Sequence, residues 1–151
     1  MNKLKLNKQL CFRLYTASRL ITQEYEPLFR PTGITYTQYL VLLVLWEEDC
    51  QPVNTIGKKL MLGINTTSPL IKRMEALGLV ERKDNAEDKR QQLICLTEKG
   101  KAFRKEAEAV PDCMLSRLKD YGLSLDEDLL PLVPLLDNII DRMATKSSKN
   151  K

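Results

Sequence analysis

The sequence predicts a mainly α-helical chain with one small β-hairpin, on three observations. Apolar residues recur at helical spacing over most of the chain. The period changes to that of strands only across residues 79–97. Within that stretch a charged run, from Asp84 to Arg90, separates two apolar segments as a long hairpin loop would. At 151 residues, 43 % of them hydrophobic, the chain has one domain's length and can bury a core without disulfide or metal staples.

The elements follow in order. Residues 8–29 read as a helix, with Leu6, Leu10, Leu14, Ala17 and Ile21 at helical spacing and Asn7 as its N-cap; Pro31 and Gly33 end it. Thr35 to Gln38 is a capping box that opens a helix running to about Glu48, apolar nearly all round and hence the buried core helix. Pro52 and Asn54 restart the chain, a short helix covers Thr55 to Met61, and Gly63 makes a turn. The next helix spans Asn65 to Leu77, with Leu70, Met74 and Leu77 on one face and Gly78 as its stop. Strands are expected at 79–83 and 91–96. Thr97 then caps a long helix to Tyr121, Ser124 to Glu127 is a second capping box, and Pro131 and Pro134 break or kink the last helix. Leu135, Leu136, Ile139, Ile140 and Met143 form an apolar stripe beyond them. Two short helices joined by a glycine turn, followed by a charged hairpin, spell a winged helix–turn–helix.

Composition removes several function classes. The chain has no histidine, which excludes Ser–His and Cys–His catalysis and every histidine metal site. Cys11, Cys50, Cys95 and Cys113 include no CxxC pair, so they are read as free thiols and no metal or cofactor is expected. The longest apolar run, Tyr39 to Trp46, is too short to span a bilayer and no signal peptide is visible, which points to the cytoplasm. Charge is uneven. Residues 52–90 carry eight cations against five anions, while residues 101–144 carry six against nine. A basic middle with an acidic later stretch fits a nucleic-acid face backed by an interaction region.

Specific motifs carry a family likeness. Leu77-Gly78-Leu79-Val80, then Asp88-Lys89-Arg90, then Leu96-Thr97-Glu98-Lys99-Gly100 resemble the wing of the MarR family of winged-helix repressors, D-x-R followed by L-T-x-x-G. Leu10-Cys11-Phe12-Arg13-Leu14-Tyr15 with Tyr25, and Ile34-Thr35-Tyr36-Thr37-Gln38-Tyr39-Leu40, resemble its organic-hydroperoxide-sensing (OhrR-type) branch. The likeness covers residues 5–118. It implies one domain over residues 1–145, with the winged helix–turn–helix at 35–97, dimerisation helices at 5–30 and 98–145, and a disordered tail at 146–151. It also implies a homodimer on a pseudo-palindromic double-stranded DNA operator, with an organic hydroperoxide as the oxidant.

Cys11 can be argued from the residues as well. It sits at a helix start, where unpaired N–H groups and the positive dipole end favour an anion and hence the thiolate that peroxides oxidise. Tyr15 is one turn away on the same face. Tyr25 points the same way but lies about 20 Å along the axis, so a Tyr25–Cys11 contact requires a second subunit. Spacing alone leaves open a small buried hydrophobe among core aromatics. The resemblance implies that Tyr25 and Tyr36 hydrogen-bond the Cys11 thiolate across a dimer and that Tyr15 is a third, thiolate-stabilising tyrosine of the same pocket. Cys50, beside Glu47, Glu48 and Asp49, and Cys95, within an apolar strand, are expected to be inert. Some members of the branch carry a resolving cysteine on the long helix. That position falls on Ser116 here, one turn from Cys113, which puts a resolving role for Cys113 in doubt. The oxidised thiol could end as a sulfenic acid, as a mixed disulfide with a small thiol, or bonded to Cys113.

For DNA, helix 65–77 is the recognition-helix candidate. Asn65, Thr66, Thr67 and Ser68 are expected to face base edges or phosphates, and Lys72 and Arg73 to contact phosphates. Lys89 and Arg90 end the hairpin loop, where an arginine can enter a narrow A·T-rich minor groove. Asp88 is expected to hold the loop or to orient Arg90 by ion pairing. The function that follows is a repressor, not an enzyme, that releases its operator when Cys11 is oxidised. The alternative is a MarR-type repressor released by a small phenolic ligand, and a thiol peroxidase is the enzymatic reading least favoured by these motifs.

Overall fold

A computed structural model describes residues 3–149. Eight α-helices and three short strands follow in the order α1 (Leu10–Gln23), α2 (Glu26–Phe29), α3 (Tyr36–Glu47), β1 (Gln51–Pro52), α4 (Val53–Leu60), α5 (Ile64–Ala76), β2 (Val80–Asp84), β3 (Gln92–Leu96), α6 (Glu98–Ala107), α7 (Val110–Asp120) and α8 (Leu132–Lys149). The sheet is antiparallel with order β1-β3-β2. The winged helix–turn–helix is therefore present, with a third strand that the sequence reading missed.

Prolines set the helix breaks. The single helix expected at 8–29 starts instead after Gln9, without a side-chain cap from Asn7, and ends at Gln23. Pro27 lacks the N–H that would bond the carbonyl of Gln23, so the chain takes a tighter turn into α2. Likewise Pro111 divides the long helix expected at 97–121 into α6 and α7. Pro134 breaks nothing, because it falls in the first turn of α8, where its missing N–H has no intrahelical partner. Ser124 caps a π-helical turn at Leu125–Leu129, and its own N–H bonds Asp128 rather than the expected Glu127. Residues 146–149 are helical where a disordered tail was expected, and 150–151 lie outside the described residues.

The Thr35/Gln38 capping box forms in both directions. It opens α3, whose Val41, Leu42 and Leu45 are buried with Ile56, Ile71, Met74 and Ile94. Each such side chain contributes about 1.5–3 kcal/mol relative to exposure.

One junction joins the wing to the rest of the molecule. Gly78, left-handed at φ 74°, turns the chain out of α5 into β2. The Thr97 hydroxyl donates to the Gly78 carbonyl at 2.5 Å and accepts from the Gly100 N–H at 3.1 Å. The Trp46 indole donates to the Gly100 carbonyl at 3.0 Å. A Cβ on Gly100 would stand 2.2 Å from the Leu79 carbonyl oxygen. Gly100→Ala is therefore expected to cost about 3 kcal/mol and lower the thermal midpoint by roughly 5–10 °C, since backbone must move to admit the methyl group. An unchanged melting curve for that variant would contradict the junction described.

Candidate functional site

The helix–turn–helix is closed by a contact between α4 and α5. A side chain on Gly57 would press on the Thr67 hydroxyl and the Leu62 carbonyl, both 3.0 Å from its Cβ. Thr67 is fully buried and donates to the Gly63 carbonyl at 3.0 Å. Thr67 thus belongs to the packed side of α5 with Leu70, Ile71 and Met74, and its expected role as a DNA contact is corrected. Its burial depends on the approach of Gly57, which spacing along α5 does not reveal. The left-handed residue of the turn is Met61, at φ 58°, while Gly63 serves as the N-cap of α5. Asn65, Thr66, Lys72 and Arg73 lie on the exposed face, and Ser68 is half-buried at its edge.

The wing tip is organised by its own side chains. Asp88 accepts the backbone N–H of Arg90 at 3.0 Å, and Asn85 accepts that of Glu87 at 3.0 Å. Asp88 accordingly holds the loop, and it forms no ion pair with the Arg90 guanidinium. An ion pair between Arg82 and Glu75 ties β2 to α5. Among the described residues Lys72, Arg73, Lys89 and Arg90 make no ion pair, so the exposed side of the reading head carries four uncompensated cations.

Cys50 and Cys95 correct another expectation. They are bonded as a disulfide, with Cα atoms 4.1 Å apart, rather than free. The pairing of β1 with β3 brings them together across 45 residues of sequence, and β1 is too short and too proline-bound to signal itself. The Asp49 carboxylate accepts the N–H groups of Cys50 and Leu96, each at 2.8 Å. Asp49, Cys50 and Cys95 gather three metal-type ligand atoms within 4.8 Å, but the sulfur–sulfur bond occupies two of them.

Cys11 is the second residue of α1 and is exposed; Tyr15, one turn on, is 67 % exposed. Tyr25, at the N-cap of α2, and Tyr36, at the start of α3, pack together with ring centroids 4.6 Å apart, and Tyr39 completes the cluster. No hydrogen bond to another side chain or to backbone engages the Tyr25 or Tyr36 hydroxyl among the described residues. Burial pushes the Tyr25, Tyr36 and Tyr39 phenols above their ordinary value, with the neighbouring rings adding to the effect at Tyr25 and Tyr39. These hydroxyls therefore remain protonated donors. The chain thus joins Tyr25 to Tyr36 and leaves Cys11 and Tyr15 apart from them. Cys113 is exposed on α7.

The helices outside the winged helix–turn–helix carry exposed apolar faces. Leu10 and Leu14 on α1 and Leu135, Leu136, Ile139, Ile140 and Met143 on α8 are between 40 % and 69 % exposed. Glu24, at the end of α1, accepts from Arg117 at 2.9 Å and from the Tyr121 hydroxyl at 2.6 Å, which ties α1 to α7. The Tyr121 bond, followed by Arg117, holds the Glu24 carboxyl below its ordinary range.

Residues 34–91 match the MarR family. Over 144 residues the chain is 41 % identical to the organic hydroperoxide resistance transcriptional regulator of Bacillus subtilis, covering 95 % of each. The chain belongs to the MarR family. Among solved structures, this MarR protein resembles reduced AbfR bound to DNA, with a TM-score of 0.72 and 40 % identity over 93 % of this chain and 96 % of that one. Disulfide-formed AbfR gives a TM-score of 0.60 and 43 % identity over 80 % of this chain and 89 % of that one. As a MarR protein it is a transcriptional regulator built on a winged helix, and no helix among its described residues is long and apolar enough to cross a membrane.

Alkaline titration followed by tyrosine absorbance checks the cluster. Tyr25, Tyr36 and Tyr39 are expected to ionise above the ordinary value of 10.0, and Tyr36→Phe to remove one of the late-titrating groups.

Proposed function

We propose that the protein is a homodimeric cytoplasmic repressor that binds a pseudo-palindromic DNA operator and releases it when an organic hydroperoxide oxidises Cys11. The observation that carries this reading is the divided site. One chain exposes the thiol near the start of α1 and holds two unengaged tyrosine hydroxyls beyond the other end of that helix, Tyr25 at the N-cap of α2 and Tyr36 at the start of α3, so we infer that a second copy brings them together. The exposed stripes on α1 and α8 supply the apolar surface that such a dimer buries. The Bacillus subtilis relative's role in organic hydroperoxide resistance supports the same reading.

The chemistry balances without a cofactor. The Cys11 thiolate attacks the outer peroxide oxygen, the O–O bond breaks, and the sulfur becomes a sulfenic acid. The remaining oxygen takes a proton and leaves as an alcohol. Before oxidation, Tyr25 and Tyr36 donate to the thiolate, with Tyr15 beside it. Each charge-assisted bond contributes about 1.5–3 kcal/mol. Oxidation removes the charge they share. That loss shifts the dimer away from the arrangement that sets two α5 helices about 34 Å apart in successive major grooves. Asn65, Thr66 and Ser68 read bases or phosphates, Lys72 and Arg73 hold the backbone, and Lys89 and Arg90 reach the flanking minor groove.

In an operator-shift assay with cumene hydroperoxide, Cys11→Ser is expected to stay bound where the unmodified protein dissociates. Release by the variant would move the sensor to another residue, and an equal response to a phenolic ligand alone would favour the ligand-released reading.

Arg90→Ala tests the wing. Operator affinity is expected to fall, and the slope of log affinity against log salt to drop by about one, because one cationic contact is lost. An unaltered slope would place the wing off the DNA.

A further inference from the structure

We propose that Cys50 and Cys95 form a second redox site, distinct from Cys11, whose oxidation to a disulfide by an organic hydroperoxide staples the DNA-reading head at its neck. The proposal rests on exposure to hydroperoxides, as in the function proposed above, but not on Cys11.

Three observations carry it. The two sulfurs are placed for bonding by strand pairing, since the register Gln51↔Ile94 and Pro52↔Leu93 sets Cys50 opposite Cys95. The loop that the bond closes spans a separation of 45 residues and encloses α4, α5, β2 and the wing tip, which together are the DNA-reading elements. Finally, the backbone pairing at the same place is short. β1 contributes two residue pairs to the sheet, one of them a proline without an N–H, and the Asp49 carboxylate adds a bond to Leu96. When the pair is reduced, the edge is held by these contacts, by the Gln51 side chain's bonds to the Val44 and Glu48 carbonyls and to Lys59, and by the packing of Ile56 with Ile94, with no covalent tie.

Access differs between the two sulfurs in the useful direction. Cys95 is buried, at 1 % exposure, and Cys50 is the more open of the pair. Cys50 therefore meets the oxidant. Its sulfur attacks the peroxide, the O–O bond breaks, a sulfenic acid forms and the oxidant leaves as an alcohol. The Cys95 sulfur then displaces the hydroxyl, which departs as water with the thiol proton, and the S–S bond forms. Two thiols lose two electrons and two protons, and the hydroperoxide becomes alcohol and water. A closed loop of this length removes freedom from opened states of the reading head, so the oxidised neck is the more stable one. Oxidation at the neck thus holds the DNA-reading shape while oxidation at Cys11 governs release.

The test uses the full-length Cys11→Ser/Cys113→Ser protein, which retains only this pair, treated with cumene hydroperoxide after complete reduction. Titratable thiols are expected to fall from two per chain to none. Peptide mapping is expected to join the segments carrying Cys50 and Cys95 within one chain, and dithiothreitol to reverse the bond. At fixed protein concentration the thermal midpoint is expected to rise by about 5–10 °C on oxidation. Amide exchange across 80–96 is expected to slow. Thiols that persist under saturating peroxide, a covalent dimer on a non-reducing gel, or a bond that leaves both melting and exchange unchanged would each overturn the proposal. Mapping the unmodified protein guards against misfolding of the double variant, because the same intrachain link is expected there. Since the variant lacks Cys11, failure of the Cys11 mechanism leaves these readouts untouched.

Discussion

Wing, recognition helix and the helices beyond them all pass through the close approach of Gly100 to the Leu79 carbonyl. The Thr97 side chain bridges the end of α5 to the start of α6, and the Trp46 indole holds the Gly100 carbonyl against α3. Nothing larger than hydrogen fits between α6 and the strand entry. A displacement at the start of α6 is consequently passed to the end of α5 and the strand entry together rather than absorbed in a loose linker. The two motif positions on either side of Glu98 and Lys99 are therefore mechanical parts, and they explain why a threonine and a glycine stand there.

The reading head is rigid where it is hidden and open where it faces outward. Gly57 and Thr67 lock the two helices, the Arg82–Glu75 pair ties the wing to α5, and Asp88 folds the wing tip around the Arg90 backbone. The cations left over sit on the opposite side. This division lets affinity be tuned by surface charge without loosening the scaffold that sets the spacing of the contacts.

Much of this was legible in the sequence because it is encoded locally. The Thr35/Gln38 box, the period of α5, the charged hairpin and the unpartnered stripe on α8 each depend on residues a few positions apart. What escaped depends on distant neighbours or on a single missing N–H. Thr67 looks like an exposed polar residue until Gly57 is placed against it. Cys50 and Cys95 look unrelated until a two-residue strand sets them side by side. Pro27 and Pro111 convert smooth helical periodicity into kinked pairs, since a periodic pattern survives a break that leaves the backbone right-handed on both sides. The tyrosine cluster was only half legible: Tyr25 and Tyr36 meet within the chain, whereas Cys11 and Tyr15 stand apart from them on α1.

The apolar stripe on α8 also bears on dosage. Where a second copy covers this face, as in the dimer proposed above, the active concentration follows mass action: far below the dissociation constant, halving the chains leaves a quarter of the dimers. Synthesis rate and dilution at cell division then become inputs as sharp as any chemical signal. Single chains, with their hydrophobic stripe bare, are natural clients for chaperones and proteases, which would clear an excess before it could accumulate.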